Sequence, residues 1–183
     1  LGPARVDRGP GASGGLRPCR RPAAAAGGVR GRESMAIERV LVANRGEIAV
    51  RLVRACADAG IESVAVYATD DAAARHVRLA DHARALPAAG ARAYLDVDAV
   101  IETARDAGAD AIHPGYGFLS ENAAFARACE AADITFVGPT PAMLELFGDK
   151  VRARGLARDC GVPLLEGTDG PTDLDAARAF MEA

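Results

Sequence analysis

The sequence lacks any apolar run long enough to cross a membrane. A spanning helix needs about 20 consecutive apolar residues, and Arg or Asp interrupts the apolar stretches of this chain every few positions. The four cysteines, Cys19, Cys56, Cys129 and Cys160, form no Cys-x-x-Cys pair. Three of them fall in or beside helix-like segments, where a free thiol behaves as a small apolar residue. The sequence therefore predicts a soluble protein with no membrane segment, in a reducing compartment.

Three further absences each exclude a class of site. Asn44-Arg45-Gly46-Glu47 has one glycine where an NAD-binding loop needs Gly-x-Gly-x-x-Gly, so hydride transfer is not expected. The chain has no Gly-x-x-x-x-Gly-Lys-Ser/Thr segment, which excludes a P-loop NTPase. No pair of His, Cys or carboxylate residues has metal-ligand spacing, so these residues alone predict no metal site.

Composition and charge change near residue 35. Residues 1–34 contain seven Arg, eight Gly and four Pro, whereas residues 35–183 carry 15 basic and 23 acidic side chains, a net charge of −8. The acidic body argues against nucleic acid as a partner. The first 34 residues have no periodic apolar pattern and no secretory core, which predicts a disordered leader or upstream translated sequence before a start at Met35. A cytoplasmic location follows; because the leader is Arg-rich and acid-poor, the alternative is a transit peptide and the mitochondrial matrix.

From Ile37 onward, strand-like and helix-like segments alternate. The pattern predicts strands at 40–43, 61–67, 83–86, 111–112 and 134–137, with a further strand beginning at 162–164. Helices are predicted from 48 to Gly60, at 70–80, 96–107, 123–132, 141–147 and 150–160, and from 173 to the end. Strands rich in Val and Ile that alternate with helices predict an α/β fold with a doubly wound parallel sheet, Rossmann-like, over residues 35–148. Residues 149–183 are too few for an ordinary second domain, so they are expected to be the truncated start of one.

Two loops follow strand ends and are expected to meet at one edge of this sheet. The first is Asn44–Glu47. The second, 113–122, contains the turn-forming Gly115 and Gly117 and predicts Ser120 as the N-cap of the next helix, with Glu121 in its first turn. Its candidate site residues are His113, Gly115, Tyr116, Gly117, Ser120, Glu121 and Asn122.

Each candidate also has a structural interpretation. Arg45 and Gly46, at a helix N-terminus, could bind an anion, or Arg45 and Glu47 could form a structural ion pair. His113 could act as a base or hydrogen-bond its own loop. Glu121 could serve a ligand or simply cap its helix. His76, between two arginines, is expected on a solvated helix face.

Lys150 is the strongest single candidate, because it is the only lysine among 22 basic residues. It follows Gly148 and Asp149 at a predicted helix N-terminus, where backbone N–H groups and the helix dipole favour a phosphate. A lysine ammonium approaches phosphate as a compact point charge, which an arginine does not. The structural alternative is a surface lysine retained by chance.

Together these segments resemble the N-terminal domain of biotin carboxylase. The resemblance runs from about Ile37 to Gly167 and rests on residues 40–54, 76–81, 94–95, 109–122, 136–139 and 148–150. It implies a sheet domain that precedes an ATP-grasp domain, with Lys150 on the family's first nucleotide-binding lysine. The family's glycine-rich lid, metal-binding carboxylates and catalytic arginine would lie beyond Ala183, so no catalytic residue is assigned here and the chain alone is expected to be inactive.

The family's chemistry sets the remaining expectations. By resemblance, the complete enzyme uses ATP and Mg²⁺ (or Mn²⁺) to activate bicarbonate as carboxyphosphate, and it carboxylates biotin held on a carrier domain. A carboxyltransferase component is the further partner, and the complete enzyme is expected to be a homo-oligomer. The final acceptor stays open among acetyl-CoA, propionyl-CoA, a longer acyl-CoA, pyruvate and urea. The alternatives are a non-catalytic sheet module that binds a nucleotide or a partner, and another ATP-grasp ligase such as carbamoyl-phosphate synthase.

Overall fold

A computed structural model of the chain describes residues 36–167, Gly170 and residues 172–182. The predictions for the leader, for Met35 and for Cys19 lie outside these residues. The strands are β1 (Arg39–Val42), β2 (Glu62–Tyr67), β3 (His82–Ala85), β4 (Ala111–His113) and β5 (Thr135–Phe136). The helices are α1 (Gly46–Ala59), α2 (Arg75–Leu79), α3 (Val97–Asp106), α4 (Ala123–Ala131), α5 (Pro141–Gly148), α6 (Lys150–Asp159) and α7 (Leu174–Glu182). Short 3₁₀ helices cover Thr69–Asp71 and Ala91–Leu95.

The sheet confirms the predicted doubly wound architecture. Its five strands are all parallel, in the order β3-β2-β1-β4-β5. The chain builds outward from β1 to β3 on one side and then crosses to β4 on the other side of β1. This reversal makes the carboxyl ends of β1 and β4 the topological switch point, where ligands of such sheets bind.

The central strands are apolar without alternation because helices cover both faces of the sheet. Leu41, Val64 and Ile112 are completely buried, and Val100 of α3 and Phe125 of α4 pack into the same core. The short β4 therefore lies deep in the protein, and the loop that follows it is anchored at its base.

Two predicted elements are wrong. The helix predicted at 70–80 is a 3₁₀ turn followed by the five-residue α2, because Ala74 is extended (φ −64°, ψ 153°) and the Asp70 carboxylate accepts a hydrogen bond from Gly90 N at 2.8 Å. The strand predicted to begin at 162–164 has no strand geometry. Among the described residues, no strand pairs with it, and Val162 is 52% exposed.

The predicted end of α1 is confirmed. Gly60 ends α1 in the left-handed conformation (φ 69°), as expected for a helix-terminating glycine.

Cys56 and Cys129 are buried free thiols in α1 and α4, and burial raises the pKa of Cys129 to about 12. Within the described part of the chain, no helix has the length and apolar content needed to cross a membrane.

Candidate functional site at the sheet switch point

The two predicted loops meet through the side chain of Asn44. Its amide Nδ2 donates to Pro114 O and to Tyr116 O, both at 2.8 Å, and its Oδ1 accepts from Arg45 N at 2.8 Å. Asn44 is only 2% exposed. The predicted meeting of the loops is therefore correct, and one buried carboxamide makes the connection.

The turn after β4 needs glycine for two separate reasons. Gly115 has φ +68°, and a Cβ there would lie 2.8 Å from both Asn44 Nδ2 and Ile48 Cγ2. Gly117 has φ +71°, but a Cβ there would meet nothing within 4 Å. Gly115 thus allows close approach as well as a left-handed backbone. The neighbouring Tyr116 is 79% exposed at this edge.

His113 hydrogen-bonds its own loop. Its Nδ1 accepts from Gly115 N at 3.0 Å, which fixes the neutral imidazole with its proton on Nε2. Burial lowers the pKa of His113 and further favours that neutral form. The structure thus shows the second of the two roles considered for this residue.

The N-cap of α4 was predicted two residues too early. Asn122 caps the helix, with Oδ1 accepting from Phe125 N at 3.0 Å. Ser120 instead lies in a turn, where its N–H donates to Gly117 O at 2.9 Å, and Phe118 takes a positive φ of 44°. Glu121 precedes the cap and is exposed, so it is not in the first helical turn as predicted.

Arg45 has a structural partner, but a different one from that predicted. Its Nη2 lies 3.1 Å from Asp71 Oδ1, and its guanidinium sits 5.7 Å from the centre of the Tyr94 ring. Glu47 instead lies 4.0 Å from Arg51 on the exposed side of α1. The charge of Arg45 is thus balanced by a carboxylate of the same chain, although 40% of its side chain stays exposed.

Tyr94 connects the segment 68–71 to the second loop. The completely buried phenol donates to Asp71 Oδ2 at 2.9 Å and accepts from Ala68 N at 3.1 Å. Its ring lies 5.3 Å from that of Phe118 in the second loop. Burial, with the Asp71 carboxylate, raises the pKa of Tyr94 to about 12, so the hydroxyl keeps its proton.

His76 was predicted on a solvated face but is completely buried. It faces β2, with Nε2 3.2 Å from Val66 O, while Arg75 and Arg78 remain exposed. No hydrogen-bond partner for its Nδ1 occurs among the residues the structure describes. Burial lowers the pKa of His76, so the ring is neutral with Nε2 as donor.

Lys150 begins α6, as predicted, and is exposed. Two of the backbone N–H groups at this helix start are taken by the Asp149 carboxylate, which accepts from Val151 N at 2.9 Å and from Arg152 N at 3.1 Å. The exposed lysine ammonium can still attract an anion here.

Comparison with known proteins identifies the family to which these loops belong. A sequence profile described as biotin carboxylase, N-terminal domain, matches residues 36–144. The chain belongs to this family. It is 50% identical over 143 residues to biotin carboxylase of Haemophilus influenzae, covering 78% of this chain and 32% of that protein. It is 49% identical over 151 residues to pyruvate carboxylase of Bacillus subtilis, covering 80% of this chain and 13% of that protein.

Solved biotin carboxylase domains have the same fold. The domain of a single-chain bacterial carboxylase is 60% identical, with a TM-score of 0.76, over 79% of this chain and 34% of that one. The domain dimer of Hydrogenobacter thermophilus 2-oxoglutarate carboxylase, in complex with MgADP, ADP and bicarbonate, is 44% identical, with a TM-score of 0.77, over 81% of this chain and 33% of that one. This chain thus spans about a third of the biotin carboxylase relatives it matches.

Sequence reasoning missed Asn44, Asp71 and Tyr94 as organisers of this biotin carboxylase N-terminal domain. One signal was available for Asn44: the chain has no Gln and only two Asn, Asn44 and Asn122, and both lie in the site. Asp71 is one of 25 acidic residues and gave no such signal. Within the described part of the chain, no three His, Cys or carboxylate residues converge on a point that could hold a metal.

Proposed function

We propose that this chain is the N-terminal part of the biotin carboxylase component of a biotin-dependent carboxylase. The observation that carries the proposal is the family match over residues 36–144, which includes both switch-point loops. The complete enzyme would use ATP, Mg²⁺ or Mn²⁺ and bicarbonate to carboxylate biotin on its carrier domain. A carboxyltransferase component would then transfer the carboxyl group from biotin to the final acceptor. It would act as a homo-oligomer. The relative with bound MgADP and bicarbonate supports the magnesium-bound nucleotide and the bicarbonate of this set.

Within that enzyme, the switch-point loops would form one wall of the cleft. Lys150 would contact ATP phosphate through its ammonium as a point charge. Its exposure leaves the ammonium accessible, and Asp149 holds the start of α6 through two backbone hydrogen bonds. We propose the boundary between the sheet domain and an ATP-grasp domain at Gly148 and Asp149, where the extended Asp149 (φ −98°, ψ 109°) separates α5 from α6.

Residues 1–183 alone would not carry out the reaction. The matched biotin carboxylases extend far beyond the aligned segment, which covers 32% of one and 34% of another. The described residues bring together no carboxylate cluster for Mg²⁺. Stabilising a transferring phosphoryl group requires such metal and cationic groups in place, so no step through the metal is assigned to this chain.

A chimera tests the function. Residues 36–167 would replace the matching segment of Haemophilus influenzae biotin carboxylase, and biotin-dependent ATP hydrolysis would be measured beside the parent enzyme and residues 1–183. We expect activity in the chimera and none in residues 1–183. A folded but inactive chimera would contradict the proposed function, and hydrolysis by residues 1–183 would contradict the claim that they are inactive alone.

The same chimera tests Lys150. Lys150→Met is expected to raise the KM for ATP by about tenfold or more, the equivalent of about 1.4 kcal/mol, because a charge-assisted contact to phosphate is lost. Arg152→Met is the matched control, since it removes a cation from the same turn of α6. An equal rise in the KM for ATP in both variants would mean that the general loss of positive charge causes it. That result would contradict a direct contact between Lys150 and ATP.

A further inference from the structure

We propose that Asn44 is a positioning residue that fixes the turn 114–117, and with it Tyr116, at the mouth of the cleft. The proposal rests on the proposed function only in treating this edge as a ligand cleft. The structural part, that one carboxamide holds the turn, stands on the geometry of these residues alone.

The hydrogen bonds of Asn44 determine which way its side chain points. Two carbonyl oxygens, Pro114 O and Tyr116 O, lie 2.8 Å from one terminal atom, and the Arg45 N–H lies 2.8 Å from the other. Only an NH₂ group can donate to two carbonyls, and only an oxygen can accept from an N–H. Asparagine satisfies all three partners in a buried position, whereas an aspartate of the same shape would set a carboxylate against the two carbonyls.

The second loop is shaped to receive this amide. Gly115 approaches so closely that a Cβ would lie 2.8 Å from Asn44 Nδ2. The Tyr116 side chain is 79% exposed. Among the described residues, its hydroxyl has no hydrogen-bond partner and its ring contacts no other ring, so no side-chain interaction holds it in place. Its position therefore follows from the backbone, and Asn44 holds that backbone through the Tyr116 carbonyl.

The two asparagines of the chain provide a matched pair of substitutions. Asn44 uses its side chain mainly as a donor, and Asn122 uses its oxygen as an acceptor from Phe125 N. Asn44→Asp is expected to speed amide hydrogen exchange at Gly115 and Ser120 by about tenfold or more, while exchange in β1 changes little. Asn122→Asp makes the same chemical change but keeps its acceptor, so exchange at Gly115 and Ser120 is expected to stay at the wild-type rate.

The Asn44→Asp effect is expected to depend on pH. A carboxyl group buried against two carbonyls has a raised pKa, and its protonated form can donate one hydrogen bond. Relative to wild type at the same pH, the excess exchange should therefore be small at low pH and grow as pH rises through that pKa. His113 titrates in both proteins, so comparison at each pH removes its contribution. A pH-independent excess would overturn the assignment of the donor role to Asn44.

Two glycine substitutions cover the case in which Asn44→Asp does not fold. Gly115→Ala pushes a Cβ into the Asn44 amide, whereas Gly117→Ala introduces the same left-handed strain in open space. Exchange at Arg45, whose N–H donates to Asn44 Oδ1, is expected to rise several-fold more in Gly115→Ala than in Gly117→Ala. Equal rises would overturn the proposal, because strain alone would then explain them.

The functional part is tested in the chimera. Asn44→Asp is expected to lower kcat for biotin-dependent ATP hydrolysis by about tenfold while the KM for ATP changes little, since Lys150 is untouched. A wild-type kcat would overturn the role in the cleft. If the unsubstituted chimera is itself inactive, the proposed function fails, and the exchange measurements still decide whether Asn44 positions the turn.

Discussion

The sheet region (residues 36–140) and the C-terminal helices (residues 141–182) use their apolar side chains in opposite ways. In the sheet region, Leu41, Ile112 and Phe125 are completely buried. Among the described residues of α5, α6 and α7, none is buried, and Phe147 and Met181 are 62% and 82% exposed. The sheet region therefore supplies its own core, whereas the helices form without one of their own.

This difference separates the two parts of the candidate site. The switch-point loops belong to the sheet region and are held by buried hydrogen bonds of Asn44 and Tyr94. Lys150 belongs to the C-terminal helices, beside exposed apolar side chains of the kind that pack against other elements. We therefore expect the geometry of the switch-point loops to be set by contacts within this chain. The position of Lys150 is expected to depend also on contacts made in the complete enzyme.

A matched pair of phenylalanines gives the largest expected contrast. Phe125→Ala is expected to lower the free energy of unfolding by about 3–5 kcal/mol, because it leaves a cavity in a fully packed core. Phe147→Ala, in α5, is expected to change it by about 0.5 kcal/mol or less. Urea unfolding followed by circular dichroism measures both. Comparable losses would mean that α5 is as well integrated as α4, and the contrast between the regions would fail.

Tyr94→Phe tests whether the sheet region depends on its buried polar cluster. The substitution keeps the ring but removes the hydroxyl that accepts from Ala68 N and donates to Asp71. We expect a loss of about 1–3 kcal/mol, since a buried backbone N–H is left without its partner. Tyr116→Phe is the control, because that hydroxyl belongs to an exposed side chain. An equal effect at both positions would show that the cluster adds nothing.

The sheet region is also where prediction from sequence worked best. Periodicity predicted the five strands and a doubly wound parallel sheet because burial on both faces leaves continuous apolar runs, as at 40–43. His76 was placed wrongly because its neighbours Arg75 and Arg78 indicated a solvated face, whereas its ring is buried against β2. Ser120 was placed wrongly because Asn122, two residues later, also offers a capping oxygen and is the residue that caps α4. Asp71 and Tyr94 are 23 residues apart in sequence and meet only after folding, so no local pattern could pair them. The strand predicted at 162–164 is wrong because, among the residues that the structure describes, no strand pairs with this apolar segment.

The buried His76 predicts acid sensitivity confined to the sheet region. Burial lowers the pKa of His76 in the folded state, so below the unfolded value of about 6.5 the unfolded chain binds more protons than the folded chain. The free energy of unfolding therefore decreases as the pH is lowered, by at most about 1.4 kcal/mol per pH unit for this residue. His113 adds an effect of the same sign. His76→Gln keeps a hydrogen-bond donor but does not titrate, so the urea midpoint of this variant is expected to change less between pH 7 and pH 5 than that of the wild type. An unchanged pH dependence would exclude His76 as a source.

The smallest expected contrast compares two helix caps. Asn122 Oδ1 caps α4 at 3.0 Å, and Thr140 Oγ1 caps α5 at 3.3 Å. Asn122→Ala is expected to cost about 1 kcal/mol in global unfolding, because α4 carries Phe125 into the core and unfolds with it. Thr140→Ala removes a longer, exposed cap from a helix with no buried residue. It should therefore speed hydrogen exchange in the first turn of α5 while the global urea midpoint moves by less than half as much. An equal shift of the urea midpoint in Thr140→Ala and Asn122→Ala would show that α5 unfolds together with the sheet region. The boundary between the self-supporting core and the attached helices would then lie after α5.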